Sequence, residues 1–119
     1  MTAKAEFLVK FNEAYANKDK AFIFQNITDD IIWDMVGDRV IRGKEEFIQH
    51  WEEMESAATY ALEVKNVLTH GTMAMVDGSM KMTDPSGRES IFAFCDVYKF
   101  SGFKNSKIKE ITSYVVQTT

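Results

Sequence analysis

The sequence predicts an α+β domain in which three N-terminal helices pack in the concave face of a strongly curved, mostly antiparallel sheet. Apolar residues recur at helical spacing through the first half of the chain, and from Ala58 onward the period drops to two. The second half is punctuated by turn signals at Gly71 and at Asp84-Pro85-Ser86-Gly87. Helices that precede a run of antiparallel strands segregate to one side of the sheet. A chain of 119 residues without internal repeat, low-complexity tract or linker reads as one domain over 1–119, given about 150 residues per domain.

The first helix carries Phe7, Leu8, Phe11, Ala14 and Tyr15 on one face and ends at Asn17 and Lys18. Asp19 is an N-cap for a second, short helix through Ala21, Phe22, Phe24 and Gln25. The third starts at Gly43 and aligns Phe47, Ile48, Trp51 and Met54, with Glu45, Glu46, Glu52, Glu53 and Glu55 forming a solvated face. Between the second and third helices, 30–37 is β-branched and aromatic enough for a short strand. Residues 39–42 follow as another after the Gly37-Asp38 turn.

In the second half, Tyr60, Leu62, Val64 and Leu68 alternate with polar residues, which predicts a half-buried strand. The next begins at 73–77 and is interrupted by Gly78, which suggests a bulge there. Two long strands follow, 90–100 and 107–117, joined by a loop at 101–106 that is polar apart from Phe103. A bulged, bent sheet wrapped around helices makes a cone with an open mouth.

Composition removes several function classes. Lys plus Arg is 14 against 18 for Asp plus Glu, a net charge of −4. A sequence-independent nucleic-acid binder needs the opposite sign. The longest unbroken apolar run is 91–95, whereas a bilayer span needs about 20 such residues. The N-terminus carries Glu6 early and has no long apolar stretch, so no signal peptide is expected. The single cysteine, Cys95, forms no internal disulfide and reads as a small hydrophobe. A cytoplasmic protein is expected, without nucleic-acid or membrane partners. No phosphate-cradling glycine loop, nucleophile elbow or C-x-x-C pair is present, and His50 and His70 stand twenty residues apart. Neither a metal site nor a cofactor is expected.

The positive signal is a pair of carboxylates in apolar strands. Phe92, Phe94, Asp96, Tyr98 and Phe100 share one strand face, while Ile91, Ala93, Cys95 and Val97 share the other. Both faces are apolar, which predicts cover on both sides. An acid on the aromatic face must be paired, hydrogen-bonded, protonated or facing a cavity. Asp34, flanked by Ile32, Trp33, Met35 and Val36, is in a similar position. Either acid also has a plainer reading: it caps a turn or pairs with Arg39 or Arg42. Trp33, Trp51 and Phe94 are candidate pocket walls together with Phe11 and Tyr60, as are Tyr15 and Tyr114. Met73, Met75, Met80 and Met82 form a flexible apolar set suited to core, dimer face or pocket wall.

The stretches 11–19, 34–37 with Gly43 and Phe47, and 96–100 followed by Lys107-Ile108 resemble the nuclear transport factor 2-like superfamily, in its SnoaL-like and ketosteroid isomerase-like branch. The resemblance covers nearly the whole chain. It implies a cone, usually a homodimer, with a cavity for a small hydrophobic molecule between helices and sheet. Aligned on Asp34-Met35-Val36-Gly37, Asp34 falls where the steroid isomerases hold a general base. Aligned on Asp96-Val97-Tyr98-Lys99-Phe100, Asp96 falls where they hold a protonated acid that donates to the substrate oxyanion. Their oxyanion-binding tyrosine falls at Phe11, which has no hydroxyl. Tyr15, one turn further on the same face, is the available substitute.

Two sister activities match less well. The epoxide hydrolases of this fold use an Asp–Arg–Asp set, but Met75 stands where the Arg would be and Val116 near the second acid, leaving Asp77 alone. The polyketide cyclases use an acid or base late in the chain, and 111–119 offers none. Two readings remain open. In the first, a cofactor-independent isomerase or lyase-like enzyme abstracts a proton α to a carbonyl with Asp34 and Asp96. In the second, a non-catalytic module binds a hydrophobic ligand or dimerises, and a tyrosine or backbone donor holds Asp96.

Overall fold

In the computed structural model, which describes residues 2–104 and 106–119, the second and third helices start at their expected caps. Helix α1 (Ala3–Ala16) begins at Thr2, whose hydroxyl accepts from the Ala5 N–H at 3.1 Å. Helix α2 (Lys20–Gln25) is capped by Asp19, which accepts from the Phe22 N–H. Helix α3 (Lys44–Ala57) follows Gly43. Met1 and Asn105, the latter within the expected loop 101–106, lie outside the described residues.

The strands are β1 (Ile27–Met35), β2 (Arg39–Arg42), β3 (Thr59–His70), β4 (Met73–Thr83), β5 (Glu89–Phe100) and β6 (Ile108–Gln117). The last four form the expected antiparallel meander. Strand β6 also pairs in parallel with β1, so all six join one curled sheet in the order β2-β1-β6-β5-β4-β3. Parallel neighbours need a long crossover. Here that crossover is the rest of the domain, which closes the sheet around the helices.

The bulge lies one strand away from where the glycine places it. The β3–β4 register shifts between Val64 and Asn66, so Lys65 is the extra residue and β3 is the bulged strand. Gly78 sits opposite Val64, and a Cβ there would stand 2.0 Å from the Glu63 carbonyl oxygen. The glycine thus marks the close approach of β3 backbone rather than an insertion in β4. Beyond Lys65 the side-chain phase inverts. Val67 packs inward and Leu68, expected on the buried face, is 64% exposed.

Leu8 of α1, Ile23 of α2 and Ile27, Ile31, Val76 and Ile108 of the sheet are fully buried in one core. All three helices contribute to that inner side. The second cover expected for β5 is absent among the described residues: Ala93 is exposed, and Ile91, Cys95 and Val97 are only half-buried. No helix among the described residues is long and apolar enough to cross a membrane.

Candidate functional site

Side-chain alternation on three neighbouring strands decides what faces the hollow. Trp33 and Met35 of β1, Phe94 and Asp96 of β5, and Ile111 and Ser113 of β6 point to the same side. Together with Phe11, Asn12 and Tyr15 of α1 and Tyr60 of β3 they enclose a cavity of about 370 Å3, within the usual range of about 300–1,000 Å3 for small-molecule sites. Thioethers of Met54, Met80 and Met82 fill out the wall, whereas Met73 and Met75 lie on the opposite strand face. Val36, Asp38 and Val115 line the cavity and are also exposed, so they frame its mouth.

Asp96 is the acid of the interior. Burial pushes its carboxyl up to about 6, while hydrogen bonds from Ser113 and Tyr98 pull it back part of the way. The Tyr98 hydroxyl donates to Asp96 Oδ2 at 3.2 Å and accepts from Asn12 Nδ2 at 3.3 Å. Asn12 is itself fixed by donating to the Leu8 carbonyl at 2.8 Å. A second chain ends at the same acid. The Trp33 indole N–H donates to Ser113 Oγ at 2.9 Å, which leaves the serine hydroxyl hydrogen for Asp96. Asn12 and Ser113 are the buried polar residues of the described core, and both serve this one carboxyl. Burial, then the Asp96 charge, raises Tyr98 well above the usual phenol range, so its hydroxyl stays protonated at neutral pH.

Tyr15 lies close to this cluster. Its ring packs edge-on against Trp33 at 6.4 Å and tilts against Tyr60 at 5.6 Å. Burial raises its hydroxyl above the ordinary tyrosine value, with Tyr60 and Asp96 adding to the effect. The Tyr15 hydroxyl points at Met54 Sδ, 3.3 Å away, and a thioether is a weak acceptor. The phenol is therefore free to donate to a better acceptor in the cavity. Phe11 stands edge-on to Tyr98 at 6.2 Å and supplies only apolar wall.

Three of the sequence-derived site residues fall elsewhere. Asp34 is not part of the cavity wall, because period-two alternation turns it to the other face of β1 when Trp33 and Met35 face in. Nor does it pair with Arg39, which meets Glu53 at 3.5 Å and contacts His50 instead. Tyr114 is half exposed on the outer sheet face, between the inward-facing Ser113 and Val115. Trp51 is buried but stands behind Tyr15, ring to ring at 5.7 Å, with its indole N–H donating to Glu55 Oε2. Asp77 accepts from Asn66 at 2.9 Å outside the cavity, so the epoxide hydrolase set is not assembled.

The sequence reading passed over Asn12, Asp38 and Ser113. Asn12 and Ser113 carried a signal, each being a polar residue on an otherwise apolar face. Asp38 reads in the sequence only as half of a turn. Gly37, at φ +82°, supplies the left-handed step that brings Asp38 to the mouth.

The sequence matches the SnoaL-like domain family over residues 8–111. The fold is similar to an NTF2-like protein of unknown function from Cytophaga hutchinsonii, at 24% identity and TM-score 0.72, covering 94% of this chain and 98% of that one. It is also similar to a putative SnoaL-like polyketide cyclase from Shewanella putrefaciens, at 15% identity and TM-score 0.85, covering 97% and 90%. An LEH-like epoxide hydrolase from M. tuberculosis aligns at 16% identity and TM-score 0.82, covering 94% and 81%. No functionally curated protein matches the sequence.

Proposed function

This chain belongs to the SnoaL-like domain family, and from that premise we propose that its cavity takes a small, mostly apolar carbonyl compound and that Asp96 moves a proton on it without a cofactor. The observation that carries this reading is a carboxyl with a pKa of about 6, set in an aromatic wall and held by Tyr98. A proton-transfer group works best when its pKa lies near the operating pH. Asp34 lies outside the cavity, so the base role expected of it passes to Asp96.

Ionised Asp96 takes a proton from the carbon α to the carbonyl. The C–H electron pair moves into the carbonyl group, leaving an enolate. The Tyr15 hydroxyl, now bound only to a thioether, turns to donate to the enolate oxygen. Asp96 then returns the proton: delivery to the same carbon amounts to exchange alone, and delivery to a conjugated carbon shifts the double bond and completes an isomerisation.

The test is deuterium uptake from D2O into a panel of small cyclic and aryl-substituted enones, followed by mass spectrometry. Uptake above the buffer rate, falling at least about 100-fold in Asp96→Asn, is the expected result. A compound shown to bind yet exchanging no faster than in buffer defeats the catalytic reading. A second reading, a binding pocket without chemistry, is favoured by Phe11, which supplies no oxyanion donor, and by Asp96 being already engaged with Tyr98. We further propose a homodimer through the outer sheet face, where Leu68, Met73, Tyr114 and Val116 are exposed.

A further inference from the structure

The charge pattern of the cavity indicates a ligand chemistry of its own, independent of any catalysis. Among the residues of its wall there is no Lys, Arg or His, and the two ionisable carboxyls are Asp96 in the interior and Asp38 at the mouth. The remaining polar groups inside are hydroxyls, the Asn12 amide and the Trp33 indole N–H, which is already donated to Ser113. We propose that the cavity binds lipophilic amines, with the protonated nitrogen beside Asp96 and the carbon skeleton against the aromatic and methionine wall.

Two physical arguments support this assignment. An anionic ligand would meet two like charges and no cation, in a low-dielectric space where repulsion is weakly screened. A cation meets the reverse: a carboxylate and several ring faces. Tyr15 and Tyr60, 5.6 Å apart and tilted by 53°, offer π-surface beside the acid, and Trp33 and Phe94 continue it. Aromatic walls around a carboxylate are a general means of holding alkylammonium groups.

The acid also has room for a further partner. Asp96 accepts from Tyr98 and Ser113, and a carboxylate has about four lone-pair sites. Burial makes its ionisation unfavourable, and an adjacent ammonium group favours the charged form. The titratable groups around it are Tyr15 of α1, Tyr60 of β3 and Tyr98 of β5, all raised by burial and neutral below pH 9, with Asp38 at the mouth. Between pH 5 and 8 Asp96 is therefore the group of the wall whose charge governs amine binding.

The experiment uses benzyldimethylamine, cationic at neutral pH, against its uncharged carbon isostere isobutylbenzene, with phenylacetate as the anion. Binding is read from the fluorescence of the wall residue Trp33 and confirmed by thermal shift. At pH 7.5 the amine is expected to bind at least tenfold more tightly than the isostere, and phenylacetate more weakly than either. The preference shrinks below threefold at pH 5, where Asp96 is protonated, and in Asp96→Asn at pH 7.5. The pH series on the unaltered protein keeps the test valid if that variant folds poorly. Equal binding of amine and isostere overturns the proposal, as does absence of binding by both. An amine preference that survives both pH 5 and Asp96→Asn also overturns it. Deuterium exchange into enones involves no amine, so failure here leaves the proton-transfer reading to be decided by its own assay.

Discussion

Tyr98 and Asp96 lie two residues apart on the inner face of β5, and the phenol donates to the carboxyl at 3.2 Å. The same hydroxyl accepts from Asn12 of α1, so the helix orients the tyrosine and the tyrosine orients the acid. Tyr98→Phe removes a donor that favours the charged carboxylate. The Asp96 pKa should then rise above about 6, visible as a displaced titration of its carboxyl 13C resonance. Two hydrogen bonds are lost, to Asp96 and from Asn12, while Asn12 keeps its bond to the Leu8 carbonyl, so the loss in stability should stay near 1–3 kcal/mol, at about 0.5–1.5 kcal/mol for each bond. An unmoved titration would mean that the phenol does not govern the acid.

The raised pKa of Asp96 also has a sign in stability. The folded state holds this proton up to about pH 6, whereas the unfolded chain releases it near the ordinary 3.8. The proton therefore stabilises the fold at low pH, and that contribution is lost as pH rises from about 4 to 6. At about 1.4 kcal/mol for each pH unit of the window, the loss is on the order of 3 kcal/mol. Asp96→Asn has no such titration. Its stability relative to the unaltered protein should increase between pH 4 and pH 7, as measured by urea denaturation at each pH. A constant difference across that range would contradict the burial of the acid.

Gly78→Ala tests the register of the sheet. The added methyl would stand 2.0 Å from the Glu63 carbonyl oxygen, and the obstacle is backbone on the bulged strand. Neither partner can rotate away, so β3 and β4 must separate locally. The expected loss exceeds about 3 kcal/mol, beyond the usual range for an overpacked side chain. Gly87→Ala, with open space around its Cβ and only a positive φ to strain it, is the milder control. Thermal melts of the two variants should fall in that order.

The element order was legible because the helices and strands carry different periods and several are bounded by a cap or turn signal of their own. Asp19 and the 84–87 turn needed no tertiary information. The inner face of β5 was legible too, since Phe92, Phe94, Asp96 and Tyr98 alternate without interruption. What failed depended on contacts between strands. The glycine at 78 signals a bulge but not which strand carries it, and the phase of Leu68 follows from that choice. Asp34 and Tyr114 were misplaced for a related reason. In a short strand with apolar residues on both sides, the side chains do not reveal the inward face until Trp33 finds Ser113 across the sheet.

The outer face of the sheet gives the last prediction. Tyr114 and Val116 project from β6 beside Cys95 and Ala93 of β5, their register partners, and Leu68 and Met73 extend the surface across β3 and β4. Several large apolar side chains exposed on a sheet face that no helix covers among the described residues form a surface that monomers rarely leave open. A two-fold partner placing the same patch on the other side would satisfy both copies. Sedimentation of the unaltered protein should therefore report a dimer. The double variant Tyr114→Lys with Val116→Lys should report a monomer with an unchanged circular dichroism spectrum, because both side chains already face water in the single chain. Since Ser113 and Val115 face the cavity and these two do not, ligand binding should persist in the monomer. A monomeric unaltered protein, or a dimer that survives both lysines, would remove the outer face as the contact.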